Sequence, residues 1–432
     1  MIDLLLRNVV TAGAPEPVSV AVTGGRIVAA GPELLPSLWE GLGEGLSKAI
    51  PAREVFDAGG RYLIPGFVES HLHLDIALSN DARRPGRPEP FVSMAGLNAA
   101  IERRRRAFTH EEIVRRATAA VHLALRHGVT ALRAQCHVDM EIGLKHVEAL
   151  QEVKESCARL VTIQIVAFPQ QGLLAKPGTL DLFREAFRRG ADVVGGAPNL
   201  DSGHDFRDHV DAAFALALEL DRDVDIHADL ALKPSAALDD LEVVHVARRT
   251  LEYGYQGRVT VGHACALDSA PPDVAREAIA LLKEAGVSVI SQPDLYRLGR
   301  DDRQHVRRGL TRVKELLAAG VNVAYASNNV RDALRPLGNM DLLEEGLILA
   351  YGAHMDTVAE LETLLRMSTN HAARALRLPN YGLEPGCVAD MVLLDAPSAS
   401  AAIVGQVEKL RVYKAGCLRA VNQPASSQLY ME

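Results

Sequence analysis

The sequence predicts an α/β fold, a (β/α)₈ TIM-type barrel joined to a small β-sandwich domain that the N- and C-terminal strands form together. From residue 67 onward, eight short apolar runs alternate with helical patterns of about 10 to 20 residues, as repeated βα units require. No G-x-G-x-x-G opens a helix, which disfavours a doubly wound sheet. A chain of 432 residues accommodates a barrel of about 250 residues together with appended strands.

The N-terminal part of the chain reads as short strands separated by glycine-containing turns. The predicted strands are at residues 4–10, 18–22, 27–30 and 62–64. Gly24-Gly25 and Gly59-Gly60 are the predicted turns. Residues 33–50 contain proline and several glycines, and they predict an irregular insertion with some helical character.

The barrel is predicted from the apolar runs and from the signals that bound the helices between them. Thr109 and Glu112 predict a capping box, and Gly128 closes that helix just before a strand. Pro272 opens another helix, and Gly286 closes it. The eight predicted barrel strands are at residues 67–72, 130–136, 161–168, 192–195, 224–227, 258–263, 287–291 and 321–326.

The C-terminal part returns from helices to strands. Helices are predicted at residues 341–351, 357–367 and 370–376, and strands at 389–394, 410–413 and 417–420. The terminal strands flank the barrel and can pair with one another. We therefore expect residues 1–64 and 381–432 to form the small β domain, and residues 65–380 to form the barrel.

Composition and charge limit the classes of partner. The net charge of −8 argues against binding to a phosphate backbone. The five cysteines are scattered without a C-x-x-C, so we expect reduced thiols rather than disulfides or a zinc ribbon. The first residues lack a basic segment followed by an apolar one, so we expect no signal peptide, and the sequence contains no run of about 18 apolar residues. These features predict a cytoplasmic protein that binds neither nucleic acid nor membrane.

Histidines end several of the predicted strands, and the loops after barrel strands build active sites. His71 and His73 have the period-two spacing that places both imidazoles on one face of an extended chain, where they can bind one metal ion. His227 and His263 end two later strands in succession. The sequence therefore predicts a metal site.

Other polar residues follow the same strand ends, and these are Gln170, Asp229, Asp294 and Asn328. His137 ends the second strand and is a candidate for contact with a substrate. The remaining histidines fall on predicted helices or loops and are interpreted as surface residues; they are His110, His122, His127, His146, His204, His209, His245, His305, His354 and His371.

Residues 65–75, Pro-Gly-Phe-Val-Glu-Ser-His-Leu-His-Leu-Asp, resemble the metal motif of the amidohydrolase superfamily in its cytosine deaminase-like branch. Residues 165–170, 190–195 and 336–340 are similar to segments of bacterial cytosine deaminases. Residues 257–264 and 326–332 resemble equally the s-triazine amidohydrolases that remove alkylamines from ammelide rings. The resemblance covers nearly the whole chain, and it specifies the branch rather than one substrate.

The resemblance implies a role for each candidate residue. His71, His73 and His227 would bind one divalent metal ion, zinc or iron, with Asn328 at the fourth ligand position. His263 would orient the water or the tetrahedral intermediate, and Gln170 would bind the amide edge of the heterocycle. Asp294 and Leu334 would line the pocket. Relatives assemble as homo-oligomers, and we expect the same here, with a small heterocycle as the partner.

Two positions depart from the family pattern. Asn328 replaces the aspartate that binds metal and accepts a proton, and an amide does neither well. Leu230 replaces the glutamate that shuttles protons in cytosine deaminases, and the triazine branch also lacks that glutamate. We expect a hydrolase that removes an amino or alkylamino group from an aminopyrimidine or s-triazine, with His263, Asp229 or Asp294 as candidate base. The alternatives are an engineered or impaired variant, or a non-catalytic protein that binds the heterocycle.

Overall fold

The computed structural model describes residues 2–14, 16–31, 52–80, 94–292 and 309–424. The predicted insertion at residues 33–50 and the candidate Asp294 lie outside these ranges. Within them the chain forms two sheets with helices packed on the larger one, and the predicted fold class is confirmed. No helix among the described residues is long and apolar enough to span a membrane.

The smaller sheet has seven strands from both ends of the chain. They are β1 (Ile2–Val10), β2 (Val18–Thr23), β3 (Arg26–Gly31), β4 (Ala52–Pro65), β13 (Met391–Leu394), β14 (Lys409–Lys414) and β15 (Cys417–Val421). Their order is β15-β14-β13-β4-β1-β2-β3, and the pairing is antiparallel except between β1 and β4. Backbone hydrogen bonds from Gly386 to Ile27 and from Ala389 to Gly25 bring the two halves of the sheet together around one core.

The prediction of a turn at Gly59 and Gly60 is wrong. Strand β4 stays paired with β1 on both sides of these glycines, and the register shifts there instead. Both glycines have positive φ, so they form a bulge in a continuous strand. Because the bulge keeps the chain extended, β4 delivers Pro65 directly to the first strand of the barrel.

The larger sheet contains the eight strands predicted for the barrel, and every adjacent pair is parallel. They are β5 (Phe67–Leu72), β6 (Val129–His137), β7 (Thr162–Phe168), β8 (Val193–Gly196), β9 (Asp223–Ala228), β10 (Val259–His263), β11 (Ser288–Ser291) and β12 (Val323–Tyr325). The first and last strands meet where Asn328 N donates to His71 O at 2.9 Å and His73 N donates to Asn328 O at 2.8 Å. These bonds close the sheet into a barrel.

Helices follow the strands as the βα pattern requires. In the described part of the chain they are α1 (Met94–Ala107), α2 (His110–Arg126), α3 (Lys145–Ser156), α4 (Thr179–Arg188), α5 (Phe206–Leu220), α6 (Glu242–Glu252), α7 (Ala266–Ser269), α8 (Pro272–Glu284), α9 (Val313–Ala318), α10 (Leu342–Ala353), α11 (Val358–Met367), α12 (Asn370–Ala375) and α13 (Ala399–Gly405). The Thr109 side chain accepts from Glu112 N at the start of α2, as a helix cap does. Most apolar side chains of the strands and helices form one large core, and a smaller cluster packs strand residues such as Val68 and Ile290 against α12.

Candidate metal centre and its pocket

Three histidines converge at the carboxyl ends of the barrel strands. His71 lies in β5, His73 follows that strand, and His227 lies in β9. Nε2 of His227 lies 3.1 Å from Nε2 of His71 and 3.2 Å from Nε2 of His73, and all three residues are buried. Tetrahedral zinc with Zn–N bonds of about 2.0 to 2.1 Å places two ligating nitrogens about 3.3 Å apart. The three imidazoles therefore fit a single divalent metal ion.

A buried charged network lies behind His71. Its Nδ1 atom is 3.3 Å from Gln135 Nε2 and 3.9 Å from Asp225 Oδ1. Arg133 donates to Asp225 at 2.9 Å, and the hydroxyl of Thr260 donates to the same carboxylate at 2.8 Å. Gln135 is the group at hydrogen-bond distance from the His71 ring, and it also donates to Asp225 at 3.2 Å, so this network holds the ring in its orientation.

His263 lies beside the three histidines. Its ring centroid is 5.2 Å from that of His227 and 5.7 Å from that of His71. The backbone N–H of His263 donates to Gln292 Oε1 at 2.7 Å. Three of the candidate residues have left-handed backbone angles, with φ of 72° at His263, 54° at Asp229 and 60° at Asn328. Such strained residues concentrate at functional sites.

Asn328 is fixed at the corner that follows β12. Its neighbour Ser327 donates its backbone N–H to Glu69 Oε1 at 3.1 Å and accepts at its carbonyl from Arg335 at 2.9 Å. Arg335 also lies 2.7 Å from Glu345. Asn328 is 1% exposed. The corner is thus held by the buried side chains of Glu69 and Arg335, while residue 328 itself contributes a neutral amide to the site.

Asp229 is bound to structural partners on the wall of the barrel. Its carboxylate accepts from the backbone N–H groups of Glu242 and Val243 at 3.1 and 2.9 Å, at the start of α6. It also accepts from Lys233 Nζ at 3.0 Å. The next residue, Leu230, lines the pocket.

A pocket opens in front of the histidines. It is lined by His73, Ile101, Phe168, Gln170, Ala197, Asn199, Leu200, His227, Leu230 and Leu334. The structure therefore places the candidates Gln170 and Leu334 in the same pocket as two of the histidines. Ile101 of α1 and Asn199 after β8 were missed from the sequence, since neither belongs to a recognisable motif.

Asp75, which follows β5, is connected to Gln170 through His137. Its Oδ2 atom accepts from Nδ1 of His137 at 2.6 Å and from Nδ1 of His146 at 2.7 Å. Burial alone would raise the pKa of Asp75, but the charges and hydrogen bonds of these histidines hold that pKa well below its usual range. Nε2 of His137 lies 3.1 Å from Gln170 Oε1. The side chain of Gln170 is thus positioned from the strand that carries the histidines.

The prediction that the remaining histidines lie at the surface is wrong for His146 and His209, which are both fully buried. His146 binds Asp75, and His209 donates from Nδ1 to Asp201 at 2.7 Å. Burial lowers the pKa of both histidines, which favours their neutral forms.

Several known proteins are similar to this chain along most of its length. Residues 93–416 match the amidohydrolase family. N-isopropylammelide isopropyl amidohydrolase from Pseudomonas sp. (strain ADP) is 31% identical over 421 residues, which are 96% of each chain. Pterin deaminase from Rhizobium rhizogenes is 29% identical over 343 residues, covering 77% of this chain and 74% of that protein.

Two solved structures are similar along almost the whole chain. The 5-methylcytosine deaminase from Klebsiella pneumoniae superposes with a TM-score of 0.87 at 29% identity, covering 98% of this chain and 99% of that one. N-isopropylammelide isopropylaminohydrolase from Burkholderia multivorans superposes with a TM-score of 0.82 at 30% identity, with the same coverage. These proteins share the barrel, the flanking sheet and, by their names, hydrolytic chemistry on nitrogen heterocycles.

Proposed function

Because this chain belongs to the amidohydrolase family, we propose that it hydrolyses the bond between a ring carbon and an exocyclic nitrogen of a small nitrogen heterocycle. The observation that carries the proposal is the convergence of His71, His73 and His227 at the head of a pocket with Gln170 on its wall. The substrate class is an s-triazine or an aminopyrimidine that carries an amino or alkylamino group.

An apolar wall favours an alkylamino leaving group. Ile101 and Leu334 pack against one another, and both line the pocket together with Leu230. Their side chains can bury the alkyl part of a leaving amine, and each buried methylene contributes about 0.8 kcal/mol. The two relatives named for isopropylammelide are similar over more than nine-tenths of the chain, and this also supports the alkylamino substrate.

The proposed metal ion is zinc or iron, held by His71, His73 and His227. Such an ion would act as a Lewis acid and would lower the pKa of a bound water towards neutrality. The buried Gln135 and the ion pair of Asp225 with Arg133 hold the ring of His71 from behind, which supports a preformed set of ligands.

The remaining roles follow from the chemistry of each side chain. Gln170 carries one donor and one acceptor, which match the amide edge of a lactam-like ring. His263 can exchange a proton with the reacting oxygen or the departing nitrogen, since an imidazole ring can both donate and accept a proton. Asn328 cannot accept a proton as a carboxylate does. We propose Asp294 as a further pocket residue, and a homo-oligomer as the assembly.

Asn328 favours a second candidate function. A protein that binds the heterocycle without hydrolysing it would retain the pocket and could dispense with a base at position 328. The binder hypothesis predicts micromolar affinity for a heterocycle without release of an amine.

The experiment combines metal analysis with a substrate panel. Purified protein is assayed for bound zinc and iron, and then for amine or ammonia release from N-isopropylammelide, ammelide, cytosine and 5-methylcytosine. We expect about one metal ion per chain and preferential release of isopropylamine. Binding without release, here and after Asn328→Asp, would support the second candidate, and absence of both metal and binding would contradict the proposed function.

A further inference from the structure

Two neighbouring loops supply the amide side chains of the pocket. Gln170 lies on the loop that follows β7, and Asn199 lies on the loop that follows β8. Both strands are parallel neighbours in the barrel, so the loops start side by side. The separation between the two amides depends on how these loops are held together.

A single carboxylate joins the loops. Asp201 accepts from the backbone N–H groups of Leu173 at 3.0 Å, Leu174 at 3.0 and 3.1 Å, and Ala175 at 2.7 Å. The loops approach so closely that a Cβ at Gly172 would lie 2.4 Å from Asp201 Oδ1. Asp201 is two residues after Asn199, and its three donors follow Gln170 within five residues. The carboxylate therefore fixes one pocket loop against the other.

His209 holds this carboxylate from the helix behind it. Nδ1 of His209 donates to Asp201 Oδ2 at 2.7 Å, and Nε2 accepts from the backbone N–H of Ala197 at 2.9 Å. Because a backbone N–H can only donate, Nε2 of His209 carries no proton, and the ring is neutral with a fixed tautomer. The side chains of Asp201 and His209 are fully buried. One ring of α5 thus anchors both ends of the loop that carries Asn199.

We propose that Asp201 and His209 are positioning residues that set the spacing of Gln170 and Asn199, and with it the fit of the heterocycle. This inference rests on the proposed function, because the heterocycle is the ligand that the two amides would face. Neither residue lines the pocket, so the pair acts through the loops. A displacement of about 1 Å at a substrate-binding group can cost a large factor in catalysis.

The test compares variants that remove or retain the hydrogen bonds. Asp201→Asn loses one acceptor oxygen, and His209→Phe loses both ring nitrogens. His209→Gln keeps a neutral donor and a neutral acceptor about as far apart as those of imidazole. The matched control is Asp211→Asn, which removes the carboxylate that pairs with His245 at 2.7 Å and with Arg249 at 2.6 Å outside the pocket.

The first readout is affinity and turnover. We expect Asp201→Asn and His209→Phe to raise the Kd for cytosine or N-isopropylammelide, and any measurable KM, by about tenfold. His209→Gln should recover most of the affinity, and Asp211→Asn should bind as the unaltered protein does. Where turnover is measurable, kcat should change less than KM, because the metal ligands stand on other strands.

The second readout is amide hydrogen exchange, which needs no ligand and no activity. We expect faster exchange at residues 173–175 and at residue 197 in His209→Phe, and near-normal exchange in His209→Gln. Faster exchange with unchanged affinity would overturn the positioning role while leaving the proposed function intact. If Asp201→Asn fails to fold, the two His209 variants decide the question. If neither the unaltered protein nor any variant binds either heterocycle, the proposed function is wrong. Amide hydrogen exchange then still shows whether Asp201 and His209 fix the two loops.

Discussion

Asn328 and His71 are joined backbone to backbone, with Asn328 N donating to His71 O at 2.9 Å. The bond places residue 328 beside a metal-ligand candidate although 257 positions separate them in the sequence. The identity of the side chain at 328 therefore bears directly on the charge of the site. Three neutral imidazoles and an amide leave a divalent ion without a compensating carboxylate among the four candidate ligands.

Restoring a carboxylate at this position should increase hydrolysis. We expect Asn328→Asp to raise amine release by about 10² to 10⁴-fold, which is the usual contribution of a general base. The matched control is Asn329→Asp, which adds the same charge one residue later but faces Asp332, the acceptor of the Asn329 amide at 2.7 Å. If Asn328→Asp releases amine no faster than the unaltered protein, then the residue at position 328 does not limit hydrolysis.

The substitution Leu230→Glu should change substrate preference. In the Asn328→Asp background we expect Leu230→Glu to weaken hydrolysis of N-isopropylammelide, because a carboxylate would replace part of the apolar wall. Ammonia release from cytosine should rise relative to isopropylamine release from N-isopropylammelide, since the new carboxylate can transfer protons. Leu230→Gln has the same size without the charge and controls for polarity and shape. The measurement is the ratio of the kcat/KM values for the two substrates. An unchanged ratio would show that Leu230 does not determine substrate preference.

Removal of a histidine ligand should remove the metal ion. We expect His227→Asn to lose most of the bound metal by elemental analysis, and to unfold at a lower temperature than the metal-loaded protein, because a bound ion stabilises only the folded state. His245→Asn is the control, since His245 pairs with Asp211 outside the pocket. Equal metal content in the two variants would show that the ion is bound elsewhere.

Glu345 should make the stability of the protein depend on pH. Burial raises its pKa from 4.5 to about 8 and that of Glu69 to about 7, and Arg335 only partly opposes the shift. The folded state therefore keeps protons that the unfolded chain releases above about pH 4.5, so the free energy of unfolding should fall as pH rises from about 5 to 8.

The test of this sign is urea unfolding at about pH 5.5 and 8.5. We expect Glu345→Gln to flatten the dependence and to be the more stable protein at the higher pH, by on the order of 1 to 3 kcal/mol. Glu344→Gln, the preceding residue of the same helix, should leave the slope unchanged. A stability that rises with pH in the unaltered protein would contradict the buried, protonated pair.

The barrel could be predicted because its strands carry the signal locally. Strand β5 occupies Phe67–Leu72, the bounds that the apolar run predicts, and the run is buried throughout. Strand β4 was harder to predict from the sequence, because most of residues 52–61 are exposed or half-buried. Pairing with β1, and not an apolar pattern, holds these residues in a strand.

The candidate site could be predicted only where residues follow a strand directly. His73 does so, and His71, His227 and His263 lie at or next to the last residue of their strands. The buried His146 binds Asp75, which is 71 residues away in the sequence, and no local sequence pattern predicts that contact. A signal was nevertheless present, since His146 shares the buried stripe of α3 with Leu150 and Val153.

Closure of the barrel at Asn328 has a consequence for how the protein is made. His71 is synthesised early, and residue 328 follows about 250 residues later, so the seam between β5 and β12 forms only after about three-quarters of the chain has been synthesised. Pairing over such a distance is slow and entropically costly. A metal ion at His71, His73 and His227 would then be held most firmly once the seam has formed, because the seam fixes the backbone of the first two of these residues.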